Sequence, residues 1–329
     1  MLKNSHLTSN HNVASSSVHH PGSAQPSMND MSAPTASQLQ ELPGGGSIRV
    51  LCSRSGIDGR SLHILEQERD HGQVFRWLCS LCPATDGRSH LIAETLVELA
   101  LRRTRRPCFS RAMLLPEYHR AMVAALGIRT QPFERALFLG TGGAALPMHL
   151  AAHYPHCTMT LVETCAATLD LAFNFFGCPR RGPRWRTHHC SAEEFISCRR
   201  FAGSRRKGFD AILLDASSAA GTAPPPSLAK HETFCRLRAL LRPGGSLVVN
   251  LLGDPVAHMA PTTAAFETAF QPCDTLKRLY TTEGNIVLIA VTSVVDDCGE
   301  QIEMRGACNR LECWVAVCKE LGLTVDSCR

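Results

Sequence analysis

The chain has 329 residues, 44% of them hydrophobic and 19% charged, with a formal net charge of +5. That is apolar enough for a sizeable core and excludes disorder over the whole length, while the length suits one large domain or two small ones. No apolar run approaches the ~18 residues of a membrane span, and the N-terminus lacks the charged-then-apolar layout of a secretory signal, so a soluble cytoplasmic protein without a membrane partner is expected.

The 16 cysteines of a chain read in this way point to reduced thiols rather than to a disulfide framework. Cys79 and Cys82 have the spacing of zinc ligands, but no second Cys or His pair at finger-like distance completes a tetrahedral site, so no metal is expected. Basic charge is carried by 29 Arg and 5 Lys, clustered at Arg102–Arg106, Arg180–Arg186 and Arg199–Lys207. Such a surface attracts nucleic acid or acidic proteins. The clusters lack the aromatic interleaving with which single-strand binders stack bases, so nucleic acid is not expected as a partner.

Residues 1–46 are rich in Ser, His, Asn and Pro, lack apolar periodicity and end in Gly44-Gly45-Gly46, the composition of a disordered tail. From Ser47 to Cys82 short apolar runs alternate with turn signals at Gly56, Asp58-Gly59 and His71-Gly72, which reads as antiparallel strands and hairpins. Leu91–Leu101 and Tyr118–Leu126 are helical in pattern. Residues 47–130 are therefore expected to be a β-rich lead-in followed by helices. After Phe133 apolar strands alternate with amphipathic helices, the signature of a parallel sheet with crossover helices. The strands are Arg135–Gly140, Thr158–Glu163, Trp185–Cys190, Phe209–Asp215 and Gly245–Leu252. The helices are Ala145–His153, Ala166–Phe176, Ala192–Arg200 and Ser227–Leu241. Thr275–Thr282 and Asn285–Ser293 face each other across Glu283-Gly284 as a hairpin. The fold class is α/β: a Rossmann-like, doubly wound sheet of about seven strands over 131–295, with a small N-terminal β-rich subdomain and a C-terminal extension at 296–329.

In open α/β sheets a ligand lies beyond the carboxyl ends of the strands, so the residues that end each strand carry the functional reading. The first strand runs into Gly140-Thr141-Gly142-Gly143-Ala144. Glycines allow a sharp turn and close approach to a ligand, but the spacing falls short of the full Gly-x-Gly-x-x-Gly. A dinucleotide loop, a methyl-donor loop and a plain tight turn all remain open. The second strand ends in Glu163, 23 positions after Gly140, where a carboxylate can accept hydrogen bonds from both hydroxyls of a ribose. The third leads into Ser191-Ala192-Glu193-Glu194, which either flanks an adenine or serves only as a capping box made by Ser191 and Glu194. His188 and His189 read as strand residues. The fourth, otherwise apolar, presents Asp215 to the crevice, and the proline-rich loop after it cannot be helical and walls a pocket. Leu241-Arg242-Pro243-Gly244-Gly245 is a helix stop and tight turn before a buried strand.

The ordered set FLGTGGAALP, LVE, CSAEEF, FDAILLDASS, PPPS and LRPGGSLVVNLL resembles the spermidine synthase-like branch of S-adenosylmethionine-dependent methyltransferases. More narrowly it resembles the C-terminal domain of the eukaryotic methyltransferases that act on elongation factor 1-alpha, the methyltransferase-like protein 13 family. YHRAMVAAL at Tyr118–Leu126 and the triple proline at 224–226 are the more distinctive matches, and the resemblance covers about residues 50–295.

The resemblance implies a methyltransferase that uses S-adenosylmethionine to methylate a protein amine, a lysine or an N-terminus, with elongation factor 1-alpha the leading candidate, and it leaves a homodimer open. Gly140, Thr141, Gly142 and Gly143 would pass the amino-acid part of the donor, Glu163 and Thr164 would hold its ribose, and Ser191 and Ala192 would flank adenine. Asp215 would be the catalytic acid facing the sulfonium and the incoming amine, and Tyr118, His119 and Ser217 would face the acceptor. Two positions depart from the family: Ser191 stands where Asp is usual, and Ser217 stands where a second acid commonly follows Asp215. The second departure weighs against aminopropyl transfer, because a desolvated diamine needs counter-charge at both ends. An interaction protein that keeps the fold without turnover is the alternative the departures motivate, and a polyamine synthase is the third.

Overall fold

The computed structural model describes residues 34–40, 42–83, 89–100, 108–109, 114–128, 134–198, 208–218, 220–271, 275–293 and 307–327. The arginine clusters at 102–106 and 199–207 and most of the expected tail lie outside them. Within the tail, residues 36–40 form a short helix, α1 (Ala36–Gln40), and Leu42 is buried beneath the N-terminal strands.

Those strands form an antiparallel meander of five: β1 (Ser47–Ser55), β2 (Ser61–Glu68), β3 (Val74–Pro83), β4 (Ser89–Ala100) and β5 (Cys108–Phe109), in that order across the sheet. The turn signals fall where expected, with Asp58, Gly59, His71 and Gly72 all at positive φ. The expectation of a helix at Leu91–Leu101 is overturned, because this segment is β4, paired along its length with β3. Its β-branched Ile92, Thr95 and Val97 favour a pleated surface, and its burial has period two, with Thr95, Val97 and Leu99 inward.

The remaining elements build the second sheet. They are α2 (Glu117–Leu126), β6 (Arg135–Leu139), α3 (Ala145–His153), β7 (Thr158–Glu163), α4 (Ala166–Phe175), β8 (Trp185–His189), α5 (Ala192–Ser197), β9 (Phe209–Leu214), α6 (His231–Leu240), β10 (Leu241–Leu251), α7 (Ala260–Phe270), β11 (Thr275–Tyr280), β12 (Ile286–Val291), α8 (Ala307–Glu320) and β13 (Thr324–Ser327). The strand order is β13-β11-β12-β10-β9-β6-β7-β8, with β8 through β10 parallel and β12, β11 and β13 antiparallel. The sheet therefore has eight strands rather than about seven. The extra one, β13, and the helix α8 come from the C-terminal extension; Trp314 of α8 donates its indole N–H to the Ala124 carbonyl at 2.6 Å.

Both faces of this sheet are buried, as a sheet wound with helices requires. Ala136, Phe138, Ala211 and Leu213 point to the face covered by α2 and α3. Leu137, Leu139, Ile212 and Leu214 point to the opposite face, against Phe234 and Leu237 of α6 and Phe266 and Phe270 of α7. The chain moves outward from β6 to β7 and β8 and then returns to β9 on the other side of β6. Strand order reverses between β6 and β9, so the crevice opens at Gly140 and Asp215.

Candidate functional site

The β6–β9 junction is built at backbone contact. Gly140 has φ +88°, and a Cβ there would lie 2.2 Å from the Asp215 carbonyl oxygen. The Asp215 N–H donates to the Leu139 carbonyl at 2.9 Å, and the Gly140 N–H donates to that of Val162 at 3.0 Å. Glycine at 140 is thus required by strand packing, whatever binds above it.

At this junction opens a cavity of about 410 Å³, within the size range of small-molecule sites. It is walled on the sheet side by Gly140, Thr141, Gly142, Glu163, Thr164, Ser191, Ala192, Asp215 and Ser217, so the expected strand-end residues converge on one space. Gly143 faces away from it: its N–H donates to Thr95 Oγ1 of β4 at 2.8 Å. The opposite wall comes from the N-terminal sheet, through Ile57, Asp58, Arg60, Leu62, Ser80 and Glu94.

Glu163 is held across the glycine turn. Its Oε2 accepts from the Thr141 N–H and its Oε1 from the Cys165 N–H, both at 3.0 Å. Burial nevertheless pushes its carboxyl above the usual value, against the pull of these backbone donors. Ser191 forms both halves of the capping box, accepting from the Glu194 N–H at 3.1 Å while its own N–H donates to Glu194 Oε2 at 2.9 Å. It lines the cavity with its hydroxyl already engaged.

Asp215 is fixed from two sides. Asn250 Nδ2 of β10 donates to Oδ1 at 3.0 Å and is itself oriented by Asn285, whose Nδ2 donates to Asn250 Oδ1 at 2.9 Å. His119 Nε2 of α2 lies 3.2 Å from Oδ2. Neither Tyr118 nor His119 lines the cavity, and their rings lie 4.3 Å apart. The Tyr118 hydroxyl is pushed far above its usual range by burial and by the nearby Asp215 and Glu94 carboxylates. The start of α2 is anchored to the β11–β12 turn, where the Thr282 N–H donates to Glu117 Oε2 at 3.0 Å.

Three contributors were absent from the sequence reading. Glu94 was concealed by the helical reading of β4. It accepts from Ser80 Oγ, stands 3.6 Å from Arg60 Nη1, and is pushed up in pKa by burial and by the Asp215 charge. Arg60 sits just after the Asp58-Gly59 turn and reaches the site only because the N-terminal sheet folds over the glycine loop. Asn250 had a local signal, a lone amide in the apolar run Leu247–Leu252. No cluster of three or more His, Cys, Asp or Glu suited to a metal occurs among the described residues. Cys79 is buried, and burial raises its thiol well beyond the usual range.

No family model matches the chain. It is similar to the human eEF1A lysine and N-terminal methyltransferase, at 28% identity over 152 residues, which is 43% of this chain and 22% of that protein. The mouse protein of the same name is 27% identical over 170 residues, 49% of this chain and 24% of the relative. The matched region therefore spans about a fifth to a quarter of these curated methyltransferases. A polyamine aminopropyltransferase of Vibrio vulnificus is 32% identical over 133 residues, 40% of this chain and 42% of the relative. Among solved structures, a probable spermidine synthase from Corynebacterium glutamicum superposes with a TM-score of 0.56 at 17% identity, over 80% of this chain and 87% of that one. The chain thus shares its fold, an antiparallel N-terminal sheet and a mostly parallel α/β sheet, with that structure. Among the described residues no helix is long and apolar enough to cross a membrane.

Proposed function

We propose that the chain is an S-adenosylmethionine-dependent methyltransferase acting on a protein amine, with elongation factor 1-alpha in the cytoplasm as the leading acceptor. The observation that carries the reading is the convergence of the glycine turn, Glu163 and Asp215 on one cavity at the switch point of the sheet. Glu163 lines this cavity and would take the ribose hydroxyls, and Ser191, Ala192, Pro225 and Leu228 offer apolar and small surfaces that suit an adenine. Similarity to methyltransferases of eEF1A supports the acceptor class.

Methyl transfer is an in-line displacement. The lone pair of a neutral amine forms the new N–C bond as the C–S bond of the sulfonium breaks, and the amine then releases a proton. The site has to align the partners and exclude water, and needs no nucleophile of its own. Asp215, with Asn250 on one oxygen and His119 on the other, is a fixed carboxylate able to orient the amine.

A second reading, aminopropyl transfer to a diamine, is favoured by the likeness to the Vibrio enzyme. Against it, Ser217 supplies no second charge beside Asp215. Incubation with labelled S-adenosylmethionine and cell lysate tests the proposal. Label in a band of the elongation factor's size supports it, and mass spectrometry then assigns lysine or N-terminus. Spermidine formed from putrescine and decarboxylated donor would establish the second reading, while donor binding without label in any band would leave an interaction protein.

A further inference from the structure

The two side chains that grip the Asp215 carboxylate, Asn250 and His119, come from different elements, yet both trace to one turn. The segment Thr281–Asn285 joins β11 to β12 and is closed on itself. The Thr281 hydroxyl accepts from the Asn285 N–H at 3.0 Å and donates to the Asn285 carbonyl at 3.1 Å. Asn285 reaches β10. A primary amide has a donor end and an acceptor end that exchange when the side chain turns over. Because Asn285 Nδ2 occupies Asn250 Oδ1 at 2.9 Å, the Asn250 amide aims its NH2 at Asp215 Oδ1, at 3.0 Å. Both amides are buried, and an aliphatic pair of the same shape would serve packing alone without desolvating polar groups. Thr282 reaches α2. Its N–H donates to both Glu117 oxygens, at 3.1 and 3.0 Å, and its hydroxyl donates to Oε2 as well. The N-cap of α2, Pro116, makes no side-chain cap bond, so this tether holds the first helical turn. His119 lies on that turn, with Nε2 3.2 Å from Asp215 Oδ2.

We propose that the β11–β12 turn is the positioning element of the site: Asn285, acting through Asn250, and Thr282, acting through Glu117 and α2, set the direction in which Asp215 presents its carboxylate to the amine. The inference rests on the methyl-transfer reading and deepens it by naming residues that govern the rate without touching either reactant. Neither Thr282 nor Asn285 lines the cavity. In-line displacement needs the amine lone pair aligned with the breaking C–S bond, and a misplacement of ~1 Å can cost about 100-fold in rate. A carboxylate gripped on one oxygen alone is free to swing about its Cβ–Cγ bond. Grips on both oxygens, one from a strand and one from a helix, hold its plane, and the shared anchor keeps the two in register. On the same reading the donor is held by other groups, the glycine turn and Glu163. The turn should therefore act on rate and leave donor affinity alone.

The test is the rate at which the full chain transfers label from saturating S-adenosylmethionine to lysate protein, with donor affinity read separately by calorimetry with S-adenosylhomocysteine. Asn285→Leu, which keeps the volume and removes the hydrogen-bond donor, should slow transfer about 10- to 100-fold while donor affinity stays within about twofold of wild type. Asn250→Leu should slow transfer by a similar factor. Substituting both residues by Leu should slow it no further than Asn250→Leu alone, since one residue acts through the other. Asn285→Asp has the native shape but, when ionised, offers Asn250 only acceptors and so turns its amide around. It should slow transfer at least as much as Asn285→Leu, and it keeps the test valid if the apolar side chain disturbs folding. Thr282→Val keeps the N–H bonds to Glu117 and loses the hydroxyl, and should slow transfer about 2- to 5-fold. Wild-type rates in Asn285→Leu and Asn285→Asp overturn the proposal, as does a double variant in which the two losses multiply. Loss of donor binding in both Asn285 variants also overturns it, because the turn then serves the fold alone. If the wild-type chain binds S-adenosylhomocysteine yet labels no protein, the methyl-transfer reading itself fails, and this inference falls with it.

Discussion

Substituting Gly140 by alanine should cost the fold more than any other change in the glycine turn. The new Cβ would stand 2.2 Å from the Asp215 carbonyl oxygen, 2.6 Å from its carbon and 2.9 Å from Ala216 Cα, where ordinary contact begins at 3.4 Å. The β6 and β9 backbones must therefore part by 3.4 − 2.2 = 1.2 Å, and neither can rotate out of the way as a side chain could. A φ of +88° adds about 1–2 kcal/mol for a residue with a Cβ. Loosening the bond from the Asp215 N–H to the Leu139 carbonyl adds about 0.5–1.5 kcal/mol. The sum is about 1.5–3.5 kcal/mol, reaching the upper end of common single-substitution effects. Gly142→Ala is the internal control. Its φ of +49° lies in the left-handed basin, and the atom met is the Thr95 hydroxyl at 2.9 Å, which can turn aside. It should cost about 1 kcal/mol. Urea unfolding followed by tryptophan fluorescence, with the slope m held common, measures both. The reasoning is refuted if Gly140→Ala lies within ~0.5 kcal/mol of wild type, the range of neutral surface changes, or if the two variants are equally destabilised.

Three further outcomes are expected. Glu163→Gln should weaken S-adenosylhomocysteine binding by about 1–3 kcal/mol, as charged hydrogen bonds to the ribose are lost, read by calorimetry. Because burial raises the Glu163 carboxyl above 4.5 and the ribose hydroxyls bind its ionised form, donor affinity should fall as pH drops from neutral through that raised range; Glu163→Gln should remove this part of the profile. Asp215→Asn, which keeps an acceptor for Asn250, should abolish methyl transfer in the labelled-donor assay with donor binding intact, whereas full activity would make Asp215 a structural residue. Ser191→Ala should cost about 1 kcal/mol of stability as a lost N-cap while changing donor affinity little, and a large loss of affinity would show that Ser191 grips the nucleoside directly.

The parallel sheet was legible because its strands are short, apolar and bounded by turn residues, and because each ends in a residue out of keeping with the run before it. Asp215 after Phe209–Leu214 and Glu163 after Thr158–Val162 could be placed on the crevice from position alone. What stayed hidden came from elsewhere in the chain. Leu91–Ala100 has enough Leu, Ala and Glu to satisfy a helical pattern, and only tertiary pairing with β3 settles it as a strand. With the period misread, Glu94 could not be assigned a face. Arg60 was visible as the neighbour of a turn, yet its place in the site depends on how one sheet docks on the other. His119 and Asn250 reach the same carboxylate from positions 96 and 35 residues away, contacts that no local pattern encodes.

The cavity has a floor and a roof drawn from separate stretches of the chain. The floor is made of the strand ends of the parallel sheet, and the roof is the N-terminal meander with Arg60, Ser80 and Glu94. Substitutions in the small antiparallel sheet can thus reshape one wall of the cavity while the strand ends carrying Gly140, Glu163 and Asp215 are left untouched.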